Sequence, residues 1–180
     1  MPGECRQRAT LPRRLGSLVY ESLLQVALVL VTGFVLVPLV SPASGPANSL
    51  QLPQAAGRWI SFAGIVATTL AYSVWCWSRG RRTLPMKTWR LGLATVTGAP
   101  VSAARALARY LACWIGPALA GAVYLALHRH GLGAHATWLV GFNFLWAFID
   151  PERQFLHDRI AGTRIVDTAP ARSAATSAAG

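Results

Sequence analysis

The sequence predicts an all-α membrane protein with four transmembrane helices, both chain ends in the cytoplasm, and a small basic cap on that side. Three observations predict it: four long apolar runs, a shortage of charge, and an uneven placement of the basic residues. Apolar residues make up 53% of the chain and charged ones 13%. A soluble domain carries about 25% charged residues, so too few are present here to cover a surface wetted all round. Of the 17 basic residues only Lys87 is a lysine, against 6 acids. Such a balance can signal nucleic acid, but beside several apolar spans it points to orientation in a bilayer and not to a nucleic-acid partner.

The first run covers about 15–40, with Arg13 and Arg14 before it and Glu21 inside it. It is too long for the ~7–15-residue apolar core of a signal peptide. Residues 41–57 carry three prolines and no charge before Arg58, and read as a loop. The second run spans about 59–77, the third 108–127 and the fourth 132–149. Each matches the ~20 apolar residues that a bilayer core requires. Ser102 is a fitting N-cap for the third. On it Ala112, Gly116 and Ala120 repeat every four residues, which permits close helix approach, and Pro117 predicts a kink. The chain thus divides into an N-terminal tail over 1–12, a membrane domain over 13–166 and a disordered tail over 167–180.

Orientation follows from the arginines. Four lie in the N-terminal segment (Arg6, Arg8, Arg13, Arg14) and four in the C-terminal one (Arg153, Arg159, Arg164, Arg172). The central segment holds the cluster Arg79, Arg81, Arg82, Lys87 and Arg90, and Arg105 follows. The two remaining connections hold Arg58 and Arg129 alone. Positive-inside logic places the three rich segments in the cytoplasm, where their charge faces anionic lipid. Trp59, Trp75, Trp77, Trp89 and Trp138 fall near span ends, where indole rings favour the interface. Within the cap, LPMKTWRLGLATV and GTRIVDT are strand-like, and pairing between them is expected, with TGAP as a turn.

Three segments in order, RRLGSLVYESLL, GRRTLPMKTWRLGL and DPERQFLHDRIAGTRIV, resemble the RDD family of small bacterial membrane proteins, named for one arginine and two aspartates. By that resemblance the arginine is Arg14 and the second aspartate Asp158, while Glu21 stands where the family has its first aspartate. The resemblance implies a bacterial inner-membrane protein engaged in transport, with cation–proton exchange as the leading activity.

Glu21 is the chief candidate for chemistry, since an acid inside a span persists mainly where it faces the bundle interior and finds partners. With the hydrocarbon starting near Leu15, it lies about 9 Å deep. Arg14, seven residues before it, projects from nearly the same face roughly 10 Å away along the axis. Asp158 is expected to accept from Arg14 or from the Arg81, Arg82 and Arg90 cluster, joining Arg14, Glu21 and Asp158 in one polar network. It belongs to LHDRIAGT, a helix or turn ending at Gly162, while Asp150 and Glu152 flank Pro151 as caps of a helix starting there. Asn143, the amide deep in the fourth run, bonds to another helix or lines a path. His128, His130 and His135 cluster in the outer loop without further ligands, so no metal site is expected. No cofactor motif, nucleotide loop or catalytic triad appears, so enzyme chemistry is not expected. Two functions compete: an exchanger of small ions, which with four spans needs a homo-oligomer to line a path, and a scaffold or modulator of a partner protein.

Overall fold

The computed structural model describes residues 9–41 and 55–168. Most of the expected loop at 41–57 and of the two terminal tails lies outside them. Helix α1, Leu11–Val40, begins four residues before the expected start because Pro12 occupies its first turn, where a fixed φ suits a helix and no N–H is needed. Leu11 and Pro12 therefore belong to the membrane helix and not to a tail. At 30 residues it is about 45 Å long, more than the ~30 Å of a hydrocarbon core. The Arg13 and Arg14 end therefore projects beyond the apolar layer. Helix α2, Ala55–Trp77, packs along α1.

Helix α4, Ala103–Cys113, is capped by Ser102, whose hydroxyl accepts from Arg105 N at 3.3 Å. It breaks at Trp114 and continues as α5, Ile115–Leu127. The break has a cause in the sequence. Pro117 has no N–H to donate to the Cys113 carbonyl one turn back. Asn143 supplies the missing donor: its Nδ2 reaches Cys113 O at 2.8 Å and Ala112 O at 3.1 Å. Ala112, Gly116 and Ala120 are all buried on this path, as their spacing predicts.

Three stretches are long and apolar enough to cross a membrane: Leu11–Val40, Ala55–Trp77 and Ala103–His130. The expected fourth span does not form one such helix. It splits into a 3-10 helix, Gly133–Gly141, and a short α-helix, α6, Phe142–Ile149. Nine 3-10 residues are unusual, since such runs seldom exceed 3–4. The segment returns along α5 so closely that a Cβ on Gly116 would stand 2.6 Å from Val140 O. The backbone-to-backbone seat, with glycine at both ends of the segment, accompanies the tighter winding.

The cap is where the chain builds an ordinary core. Helix α3, Leu84–Thr88, capped by Thr83, leads into strand β1, Leu91–Thr95. Helix α7, Leu156–Ile160, leads into strand β2, Thr163–Asp167. The two strands pair antiparallel, Leu91 opposite Asp167 and Thr95 opposite Thr163, as their sequences predict. Asp167 thus lies in a strand, not in the tail expected from 167 on. The TGAP turn closes on Thr95, with Gly98 at φ +85°, a value that favours glycine. Leu91, Val101 and Phe155 are almost fully buried beneath the strands. The helices by contrast leave apolar side chains bare, Phe34 at 83% and Leu125 at 75% exposed, as a lipid-facing surface does. Trp59, Trp75 and Trp138 are exposed as interface residues should be, but Trp77 is buried and Trp89 lies across Gly16 of α1. Trp77 thus departs from the expected interface position, whereas Trp89 stays partly exposed while packing on α1.

Because the atom opposing Gly116 is backbone and cannot swing away, Gly116→Val should destabilise the folded protein by about 1–3 kcal/mol, read as a lowered unfolding temperature in detergent.

Candidate functional site

Asp158 sits on α7 with no solvent exposure, where α4, α1 and the cap converge. Arg109 Nη1 of α4 is its closest partner. The Thr163 hydroxyl donates to the same oxygen, Oδ1, at 3.2 Å, and Arg14 Nη2 of α1 stands 3.9 Å from Oδ2. Gly162, at φ +60°, ends α7 and turns the chain so that Thr163 faces back to Asp158. Aromatic faces hold the two guanidinium groups from behind, Arg109 over Trp77 at 4.8 Å and Arg14 over Phe155 at 4.8 Å. Arg14 also donates to Arg153 O at 2.7 Å. Charges this deep cost several kcal/mol each to desolvate, and only opposed charge with hydrogen bonds offsets that.

His157 completes the centre. Its Nε2 lies 3.3 Å from Arg109 Nη2. A guanidinium only donates, so Nε2 accepts and the ring proton is on Nδ1. Burial, more than the nearby charges, pulls the imidazole pKa down to about 4. His157 is therefore neutral at pH 7.

Beside this centre lies a cavity of about 440 Å³, walled by α1, α2, the α4–α5 break and α6. Arg14, Arg109 and His157 lie at its cap end. Glu21 stands on its α1 wall, with Ser22 and Gln25 on the same helix and Ser73 and Thr69 across on α2. The Glu21 carboxylate interacts with the side chains of Thr83 and Tyr72 and feels the charge of Arg109. Its Oε1 is buried without a hydrogen-bond partner. Among the described residues no basic nitrogen comes within 4.0 Å of it.

The structure brings together the residues expected to form one network, by a different arrangement. Arg14 and Asp158 do meet, and Glu21 borders the same cavity as Arg14. The main partner of Asp158 is Arg109, which sequence reading passes over because it falls within the apolar third run. The signal available was its position: an arginine seven residues after the Ser102 cap lies two turns into the helix, about 10 Å from its start. The cluster Arg81, Arg82 and Arg90 does not serve Asp158. Arg81 stacks on Trp75 at 4.1 Å, Arg82 donates to Thr168 at 3.0 Å, and Arg79, Lys87 and Arg90 are exposed at the rim of the cap. Asn143 bonds to another helix as expected, where it holds the helix break, and it stands outside the wall of this cavity. No helix starts at Pro151 for Asp150 and Glu152 to cap; Asp150 instead ends α6, its N–H donating to Trp146 O at 2.9 Å. Its carboxylate closes a turn by accepting from Glu152 N at 3.1 Å and Gln154 N at 3.0 Å. Among the described residues no three His, Cys, Asp or Glu side chains gather as a metal would require.

Apolar helices around a buried guanidinium–carboxylate centre define a helical membrane-type protein whose cap is locked to its bundle. The chain belongs to the RDD family, whose model matches residues 8–162. No curated protein and no solved structure matches it.

Two outcomes are expected from this centre. Asp158→Asn leaves two buried guanidinium groups facing a neutral amide and should cost about 3–5 kcal/mol of stability. Replacing Arg109 and Asp158 together by leucine should recover part of that loss, because the guanidinium closest to Asp158 is then removed with it and Arg14 alone keeps its charge at the centre. Unfolding in detergent, followed by circular dichroism, reads both. His157, neutral when folded and titrating near pH 6.5 when unfolded, should make stability fall between about pH 6.5 and pH 4 and level off below, by up to ~3 kcal/mol. The unfolded chain binds the extra proton in that window. His157→Gln should flatten this part of the stability profile.

Proposed function

We propose that the chain is a four-pass protein of the bacterial inner membrane, its cap in the cytoplasm, that exchanges protons for cations at Glu21. Four passes are supported by the path of the chain, which leaves the cap along α4 and α5 and returns to it along the 3-10 segment and α6. Nine 3-10 residues and eight α-helical ones together rise roughly 30 Å, enough for a bilayer core. Orientation is supported by the gathering of the Arg13, Arg79–Arg90 and Arg153–Arg164 segments at one end of the bundle, the pattern of a cytoplasmic face. Its exposed rim of Arg79, Lys87 and Arg90 suits anionic headgroups.

One observation carries the exchange reading. Glu21 is an acid within a membrane helix, on a cavity wall, without a basic partner in reach among the described residues. A carboxylate so placed is neutralised by a proton or by a cation, and alternation between the two is the elementary step of exchange. The scaffold reading draws instead on the buried Asp158 centre and the basic rim, and leaves Glu21 as a packing group. In proteoliposomes carrying an imposed pH gradient, a panel of Na⁺, K⁺ and tetraphenylphosphonium should include a cation that collapses the gradient. Glu21→Gln should abolish that response while the amount of inserted protein is unchanged. Loss of insertion in the variant, or a gradient indifferent to every cation, favours the scaffold.

A further inference from the structure

The cavity that holds Glu21 is graded along its length. On α1 its wall runs from Arg14 to Val29, a rise of about 22 Å. On α2 it runs from Trp77 to Phe62, an equal length in the antiparallel direction. Polar side chains reach from the cap end to Gln25 on α1 and to Thr69 on α2. Beyond Gln25 and Thr69 the walls are Val29, Ile65, Val66, Phe62, Trp114 and Pro117. Phe62 and Tyr110 each meet Trp114 edge to face, at 6.4 Å and 6.3 Å, forming one aromatic wall. Helix α1 packs along α2 and against α3 but forms no comparable seam with α5 or α6, so that flank of the cavity lies at the level of the apolar helix surfaces.

These walls suit some cations and not others. A bare metal ion must replace its hydration shell with several oxygens, and among the described residues the cavity lining leaves two buried side-chain oxygens without a hydrogen-bond partner, Glu21 Oε1 and Gln25 Oε1. Ser22 donates to Leu18 O at 3.0 Å, Thr69 is bonded to Tyr110 at 2.8 Å, and Gln25 donates to Ser73 at 3.2 Å. A cation that carries its own apolar groups has no such need. It spreads its charge, gains from covering apolar wall, and its positive face is attracted to aromatic rings. At the cap end Arg109 and Arg14 share the single carboxylate of Asp158, and Glu21, which feels the charge of Arg109 without touching it, is the acid with an oxygen open to a ligand.

We infer that the cavity binds a lipophilic organic cation, its charged centre against the Glu21 carboxylate and its apolar body between Phe62, Val66 and Trp114. The inference rests on the exchange reading for its use in transport, and names the class of substrate.

Binding is measured with the full chain in detergent, by equilibrium dialysis of tetraphenylphosphonium and by quenching of tryptophan fluorescence, since Trp77 and Trp114 line the cavity. Saturable binding is expected, with the uncharged triphenylphosphine oxide bound at least about tenfold more weakly, a difference of ~1.4 kcal/mol. Glu21→Gln should weaken tetraphenylphosphonium to a similar degree, and Glu21→Asp, which keeps the charge, should retain it. Val66→Trp, which fills the apolar half and leaves the acid in place, should also abolish binding. Equal affinity for the charged and uncharged compounds, or undiminished binding by either Glu21→Gln or Val66→Trp, overturns the inference. No binding of the organic cation, together with Glu21-dependent gradient collapse by Na⁺ or K⁺, overturns it while the exchange reading stands. Failure of every cation in both assays removes the two together.

Discussion

Asp158 is surrounded by protein on every side, and the two guanidinium groups it opposes come from helices that otherwise share little contact. Arg109 arrives on α4 and Arg14 on α1, while Asp158 itself is carried on the cap. Lipid supplies no hydrophobic drive between helices of equal apolarity, so specific polar contacts and close packing decide how they associate. The carboxylate therefore fixes the angle at which the cap meets the bundle and the distance between α1 and α4 at their cap ends. The stacking of each guanidinium on Trp77 or Phe155 narrows the geometry further. Breaking the centre does more than remove a contact, since the remaining charges have no water to turn to.

The cavity follows from that arrangement. Helices held together at one end and not sealed along their length leave space between them. That space inherits the polarity of whatever lines it, with charge and hydroxyls near the cap and apolar walls beyond. Glu21 sits in the polar part, a turn short of the change beyond Gln25. Its setting differs from that of Asp158 in the way that matters for function. Asp158 is hemmed in by opposed charge and has a structural role. Glu21 has hydroxyl neighbours and a free oxygen, so its charge depends on what else enters.

Much of this architecture is legible in the sequence. The apolar runs, the Ser102 cap, the effect of Pro117 and the pairing of LGLAT with TRIVD follow from local rules of hydropathy, capping and strand propensity. Arg14 and Asp158 are reached through family resemblance, and their proximity agrees with it. What escapes is non-local. Arg109 looks like one more residue at the start of an apolar helix, because its partner lies forty-nine positions further on. The division of the fourth run into 3-10 and α-helical halves depends on how near Gly116 lets Val140 approach, and periodicity carries no trace of that. The tryptophans also divide by tertiary context, with Trp77 taken into the centre by Arg109 while Trp75, two residues before it, remains outside.

The antiparallel ribbon has a bearing on how the protein is made. Strand β1 emerges in the middle of the chain and strand β2 only after α6 and α7, and Asp158 just precedes β2. Until that final stretch is synthesised, β1 has an open edge, and Arg14 and Arg109 lack the carboxylate they will share. Closure of the cap is thus a late event in biogenesis, and a chain halted before α7 would present two misplaced positive charges and an unpaired strand at the membrane surface. Both are features by which cellular proteolysis can distinguish an unfinished copy from a finished one.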